Sequence, residues 1–214
     1  MSSILSQPYH LRYESNQDLM GLDDNEIIYY FAYGSNMDKK QMDHRQLTGN
    51  HNFWPDAECK PAIAIGKAVL NDYALNFSKI SRQNPQAQFA SILPDSNSSV
   101  EGVVYQLDNK FIKILDYYEG IELDQYTREL VTVALKIDES ADILLPALVY
   151  IAHPDASLSP GTIGTPSKTY LDTLIRGAVK FGLSQETINK LQTWPTAGSR
   201  IVSIPVEQNS DDDE

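Results

Sequence analysis

Tyr29-Tyr30-Phe31-Ala32-Tyr33-Gly34-Ser35-Asn36-Met37 is an aromatic, strand-like run that breaks at a Gly-Ser-Asn turn and passes directly into a polar, helix-like stretch. Where a strand hands over to a helix, the first N–H groups of the helix lack internal partners, and the helix dipole adds partial positive charge to them. Such a junction seats a carboxylate or an oxyanion without any Lys or Arg. Gly34 gives the chain a backbone conformation closed to other residues and lets a ligand approach closely, while Ser35 and Asn36 are natural capping types. The same chemistry fits an ordinary capped turn, so this segment alone leaves a binding role open.

Outward from this junction, strand-like runs recur at residues 62–70, 73–78, 88–93, 100–107, 126–137 and 144–152. Asn71-Asp72 reads as a hairpin turn between two of them, and Pro146 puts its strand at an edge or begins the strand after it. Helices are read at 37–46 and at 109–119, the latter with Asp108 as N-cap and Phe111, Ile114, Leu115 and Tyr118 on one face. A third starts after Ser167, carries Tyr170, Leu171, Leu174, Ile175, Ala178 and Val179 at helical spacing and stops at Gly182. A further turn follows Ser184. Strands outnumber helices and lack regular helical crossovers, which predicts an α+β fold: a small mixed, mostly antiparallel β-barrel with flanking α-helices.

The 214 residues suit one well-buried domain, expected over 27–206, with an irregular N-terminal arm over 1–26 and an acidic tail over 207–214. Acidic residues outnumber basic ones 29 to 17, for a net charge of -12 without any Lys/Arg cluster, which argues against nucleic acid and anionic membrane as partners. The single cysteine, Cys59, rules out an intrachain disulfide framework and leans towards a reducing, cytoplasmic setting. No apolar run reaches the roughly 18 residues of a membrane span, so the chain reads as soluble. His10, His44, His51 and His153 are scattered without ligand spacing, and no metal site is expected.

Glu119 is the carboxylate that stands out. It falls at the end of the helix from Asn109, just before Gly120, where the dipole disfavours an acid, and Tyr117, Tyr118 and Ile121 flank it. Dipole and desolvation together would raise its pKa towards the range of a general base. An exposed helix-end glutamate is the plainer reading of the same residue.

The Tyr-Gly-Ser-Asn loop, followed by Leu115-Asp116-Tyr117-Tyr118-Glu119-Gly120 and then Tyr126-Thr127-Arg128, resembles the γ-glutamylcyclotransferase family. Glu101-Gly102-Val103-Val104-Tyr105, Ala147-Leu148-Val149-Tyr150 and the segment from Pro166-Ser167-Lys168 to Phe181-Gly182-Leu183 resemble further pieces of it, in order. The resemblance implies the barrel, and a cofactor-free release of 5-oxoproline from a small γ-glutamyl compound. It gives Glu119 the role of general acid/base and the loop Tyr30, Phe31, Ala32, Tyr33, Gly34, Ser35 and Asn36 that of binding the γ-glutamyl moiety through backbone N–H groups. Tyr126 and Tyr150 are candidates for the pocket wall. At a net charge of -12, recognition of an anionic substrate has to be local, and backbone donors are expected to supply it.

Two rival readings come from other classes. A serine hydrolase built on Ser35 lacks the flanking glycines of a nucleophile elbow, since Tyr33 and Met37 stand there. A non-catalytic module could keep the loop to bind a γ-glutamyl or carboxylate group, or pair with another protein through its arm or tail. The sequence leaves the substrate and the oligomeric state open.

Overall fold

The continuous apolar and aromatic run Ile27–Ala32 forms the first strand, β1, and a 3-10 turn at Ser35–Met37 leads from it into helix α1, Lys39–Phe53. β2 (Ile63–Ile80) and β3 (Gln88–Asp108) follow, then α2 (Asn109–Glu119), β4 (Tyr126–Lys136), β5 (Asp142–Ala152), α3 (Lys168–Lys180) and α4 (Gln185–Gln192). This computed structural model describes residues 27–53, 59–137 and 141–197; the N-terminal arm, the acidic tail and residues 198–206 lie outside them. The strands close into a barrel in the order β1-β3-β2-β4-β5. Every neighbouring pair is antiparallel except the closing one, where Tyr30 of β1 meets Leu148 of β5 in parallel.

Asn71-Asp72 is not a hairpin turn. β2 runs straight through it, and the ladder with β3 shifts register between Asn71 and Tyr73, with Asp72 in the left-handed region at φ 64°. Opposite Asp72 the extra residues are on β3, at 95–98, whereas at the Ala64/Gly66 and Asn76/Lys79 shifts the extra residue is on β2; such insertions bend a strand and steepen its twist. Four expected strands thereby become two long ones that wrap the barrel. The true hairpin connection is residues 81–87, closed by the Ser81 N–H donating to the Ala87 carbonyl at 2.9 Å. Pro146 neither begins β5 nor ends it: it stands opposite Thr132 of β4, two residues ahead of the Leu148 pairing with β1.

α2 starts where Asp108 Oδ1 accepts from the Phe111 N–H at 3.0 Å and buries Phe111, Ile112, Ile114 and Leu115. It stops after Glu119 because Gly120 takes φ 68°, a left-handed conformation that costs a residue with a side chain about 1 kcal/mol. α3 is capped by Ser167 and turns Leu171, Leu174 and Ala178 inward. At Gly177 it comes so close to the 3-10 turn that a Cβ would stand 2.7 Å from the Met37 carbonyl carbon. Next to it, Arg176 donates through Nη2 and Nε to Asp38 Oδ2 at 2.9 and 3.1 Å. α3 therefore clamps the segment that follows β1. The fully buried Phe31, Phe77, Phe111, Ile92 and Leu135 belong to one continuous core, each side chain contributing on the order of 1.5–3 kcal/mol. Among the described residues, no helix is long and apolar enough to cross a membrane.

Candidate active site

The loop after β1, the inward face of α1, the C-terminal end of α2, the start of the β2–β3 hairpin loop and one face of α3 meet at a cleft of about 480 Å³, with Lys79, Ala90, Tyr126 and Tyr150 reaching it from the strands. The volume suits a dipeptide-sized ligand. Among the described residues Glu119 is the one carboxylate in the lining, which also holds three basic side chains, Arg45, Lys79 and Arg82.

Glu119 is delivered by the last position of α2, and its Oε1 accepts from Arg45 Nη1 at 2.8 Å and from Asn36 Nδ2 at 3.2 Å. The two charged side chains are 12% and 11% exposed, so this ion pair is mostly withdrawn from water. Burial alone would lower the pKa of Arg45, but the adjacent Glu119 outweighs it and holds the guanidinium above its usual value. Its guanidinium carbon also lies 4.9 Å from the centre of the Tyr118 ring. Asn36 is buried, and its Nδ2 reaches the Tyr30 hydroxyl at 2.8 Å as well as Glu119. Because a carboxylate only accepts, the amide nitrogen has to face Glu119. That leaves Asn36 Oδ1 and Arg45 Nε buried without a protein partner, although buried polar atoms are nearly always paired. One is an acceptor and the other a donor, beside the same carboxylate.

Tyrosine hydroxyls frame the rest. Tyr33 donates to the Tyr150 carbonyl, Tyr150 to Asp116 Oδ1 at 2.8 Å and Tyr126 to the Ala90 carbonyl at 3.0 Å, while the Tyr170 hydroxyl accepts from the Ala90 N–H at 3.2 Å. Burial pushes the phenols of Tyr30, Tyr33, Tyr126 and Tyr150 well up, and that of Tyr170 up to about 12. All five stay neutral near pH 7, as hydrogen-bonding groups and not as bases. Burial also raises the pKa of Asp116, against the Tyr150 hydroxyl and Arg128, whose Nη1 lies 3.4 Å from Oδ2.

Of the residues picked from the sequence, Glu119, Tyr30, Tyr33, Gly34, Ser35, Asn36, Tyr126 and Tyr150 all line this cleft. Phe31 and Ala32 do not: both are fully buried in the barrel core. The loop also works differently from its reading. Gly34 sits at φ -108°, outside the left-handed region, and Ser35–Met37 form a 3-10 turn instead of a helix start. The start of α1 falls at Asp38, whose Oδ1 accepts from the Lys40 N–H at 3.1 Å. Asn36 caps nothing and spends its side chain on Glu119 and Tyr30. Arg45, Lys79 and Arg82, which the reading built on backbone donors does not name, also line the cleft, as does Tyr170, placed from the sequence only as a core position of its helix. Arg45 had a signal: Met42, Arg45 and Gly49 are spaced as one inward helix face. Among the described residues, no three His, Cys, Asp or Glu side chains gather as a metal site would need.

A family model described as the AIG2-like family matches residues 99–191. Human γ-glutamylcyclotransferase is 24% identical over 179 residues, covering 82% of this chain and 82% of the human protein. YkqA of Bacillus subtilis is 32% identical over 106 residues, half of this chain, and that match spans only 33% of YkqA's own length. A solved structure of a γ-glutamyl cyclotransferase superposes with a TM-score of 0.65 at 23% identity, covering 82% of this chain and 92% of that one, a likeness of fold.

Proposed function

The chain belongs to the AIG2-like, γ-glutamylcyclotransferase-like family, and on that premise we propose that it cyclises a γ-glutamyl amino acid or peptide, releasing 5-oxoproline and the free amine, in the cytoplasm. The observation that carries this reading is the meeting of Glu119, from the end of α2, with Asn36 of the loop after β1, 3.2 Å apart in a dipeptide-sized cleft.

In this mechanism the substrate's α-amino nitrogen attacks its own γ-carbonyl carbon. A C–N bond forms, Glu119 takes the proton that the attacking nitrogen sheds, and the carbonyl oxygen becomes an oxyanion. Collapse breaks the original amide C–N bond, and Glu119 returns the proton to the departing nitrogen. The Asn36 N–H group precedes the first bond of the 3-10 turn, Met37 N–H to the Gly34 carbonyl at 3.0 Å, and is the backbone donor offered to the substrate, while the Ser35 N–H faces the Tyr170 hydroxyl. Asn36 and Arg45 hold the Glu119 carboxylate in place at this corner through Nδ2 and Nη1. Because ring closure is intramolecular, holding the nucleophile near the carbonyl supplies much of the acceleration.

The test is 5-oxoproline release by the purified protein from γ-glutamyl dipeptides, γ-glutamylamines and glutathione, with Glu119→Gln alongside. The expected result is turnover by the wild type and a loss of about 10²- to 10⁴-fold in kcat for the variant. Undiminished release by Glu119→Gln removes Glu119 from the chemistry. Binding of 5-oxoproline without turnover of any compound makes the chain a γ-glutamyl-binding module instead.

A further inference from the structure

Lys79 has no place in the reaction just described, yet it is among the most buried charged groups of the cleft. It lies one residue before the end of β2, past the last register shift, and is 3% exposed. Its ammonium carries three N–H bonds. One goes to Gln125 Oε1 at 2.9 Å and one to the Ile80 carbonyl, both neutral oxygens, and the Tyr126 ring centre lies 5.6 Å away. The third has no oxygen partner, and among the described residues no carboxylate pairs with Lys79. Burying an ammonium with only neutral partners is costly, and burial does lower the pKa of Lys79, with Glu119 pulling the other way and Arg82 adding to the drop.

The position is tied to the reacting corner. Gln125, which holds Lys79, donates its own N–H to the Gly120 carbonyl at 3.1 Å, and Gly120 follows Glu119. The charge of Glu119 acts on both Arg45 and Lys79, so the carboxylate stands between two cations. Arg45 is already matched by Glu119. Lys79, with the exposed Arg82 three residues on at the rim, is a surplus of positive charge in a protein that is acidic overall. A γ-glutamyl amino acid has one more anion than a γ-glutamylamine: the carboxylate of the amino acid that leaves.

Resting on the cyclotransferase reading, we propose that Lys79, assisted by Arg82, binds the carboxylate of the departing amino acid and makes this site selective for γ-glutamyl amino acids over γ-glutamylamines of the same carbon skeleton. A charge-assisted hydrogen bond in a site this dry is worth roughly 10- to 100-fold in kcat/KM, carried mainly by KM.

The experiment compares γ-glutamyl-alanine with γ-glutamyl-ethylamine, which lacks only that carboxylate. Wild type, Lys79→Met and Lys79→Arg are each assayed for 5-oxoproline release, and native fold is checked by circular dichroism. The expected pattern is a wild-type preference of 10- to 100-fold for γ-glutamyl-alanine, its collapse to within about threefold in Lys79→Met, and substantial recovery in Lys79→Arg. Equal kcat/KM for the two compounds in the wild type overturns the proposal whatever the variants do, as does a folded Lys79→Met that keeps the preference. If Lys79→Met fails to fold, Lys79→Gln gives the same reading. If neither compound is turned over, the cyclotransferase reading fails separately, and calorimetric binding of the same pair decides: tighter binding of γ-glutamyl-alanine that depends on Lys79 upholds the recognition, and equal affinity ends it.

Discussion

Removing the Arg45 guanidinium leaves Glu119 as a carboxylate that is 12% exposed and keeps only Asn36 as donor. Breaking a buried ion pair by deleting one partner costs about 3–5 kcal/mol, because the remaining charge stays desolvated. About a tenth of each side chain still meets solvent and the Asn36 bond survives, which puts Arg45→Met at the lower end, near 3 kcal/mol. For a domain of this size that is a fall in Tm of about 6–12 °C. The full prediction is a cycle: Arg45→Met, Glu119→Gln and the double variant, each followed by urea unfolding monitored by circular dichroism. If the pair acts as a unit, the double variant is more stable than the sum of the singles implies, with a coupling of about 2 kcal/mol. Arg45→Met within 1 kcal/mol of wild type, or singles that add to within about 0.5 kcal/mol, would refute the reasoning and leave Arg45 with its stacking on Tyr118 as its main contact.

Two stability predictions follow from elements around the site. Glu101 Oε2 accepts from the Ser184 N–H at 3.0 Å and from the Ser184 and Thr187 hydroxyls; burial alone would raise its pKa, but these donors together hold it below the usual glutamate value. A depressed folded-state pKa means stability that is present above the unfolded value and lost as pH falls through the folded one. With solvent screening these partly exposed bonds, Glu101→Gln should cost about 0.5–1 kcal/mol at pH 7 and progressively less as the pH falls through the folded value, read from urea midpoints over an acid series; a cost that does not change with pH would show that charge is not involved. Gly102→Ala would put a Cβ 2.4 Å from the Ala32 carbonyl oxygen and 2.7 Å from the Phe31 ring. Backbone cannot swing aside as a side chain can, so a loss of about 3 kcal/mol is expected, measured by thermal unfolding. A Tm within 2 °C of wild type would mean that β1 yields more easily than its packing implies.

How far the sequence reaches depends on whether a feature is set locally. The Asp108 cap and the Gly120 stop bracket α2 within a dozen residues, and Ser167 and Gly182 do the same for α3, so both helices are legible from capping and periodicity alone. The long strands are not. Asn71-Asp72 has hairpin-turn composition, and only the pairing of β2 with β3 on both sides of it shows that the strand continues, with the left-handed Asp72 opposite the longer β3 stretch 95–98. Phe31 and Ala32 fail for a related reason. Nothing local distinguishes them from Tyr30 and Tyr33, whereas barrel closure sends the first two into the core and the other two to the cleft.

The basic lining of the cleft shows where whole-chain reasoning misleads. A net charge of -12 argued that recognition had to rest on backbone donors, yet the lining carries three cations to one carboxylate. The two facts are compatible because charge is screened over about 8–10 Å in physiological salt, while a desolvated site a few ångströms across answers to the groups that line it. Arg45 shares its inward helix face with Met42 and Gly49, and Lys79 sits on β2 at the Asn76/Lys79 register shift, where Phe77, Ser78 and Lys79 are all buried and strand alternation no longer marks which side chain turns inward. A lysine at an inward strand position is costly to bury unless something negative meets it, and that cost makes Lys79 a specificity candidate and not a surface charge. The acidic exterior and the basic cleft then divide the work. The exterior offers no long-range attraction to anionic ligands, and selection is made at contact, where Arg45 is matched by Glu119 and Lys79 is left for a carboxylate of the ligand.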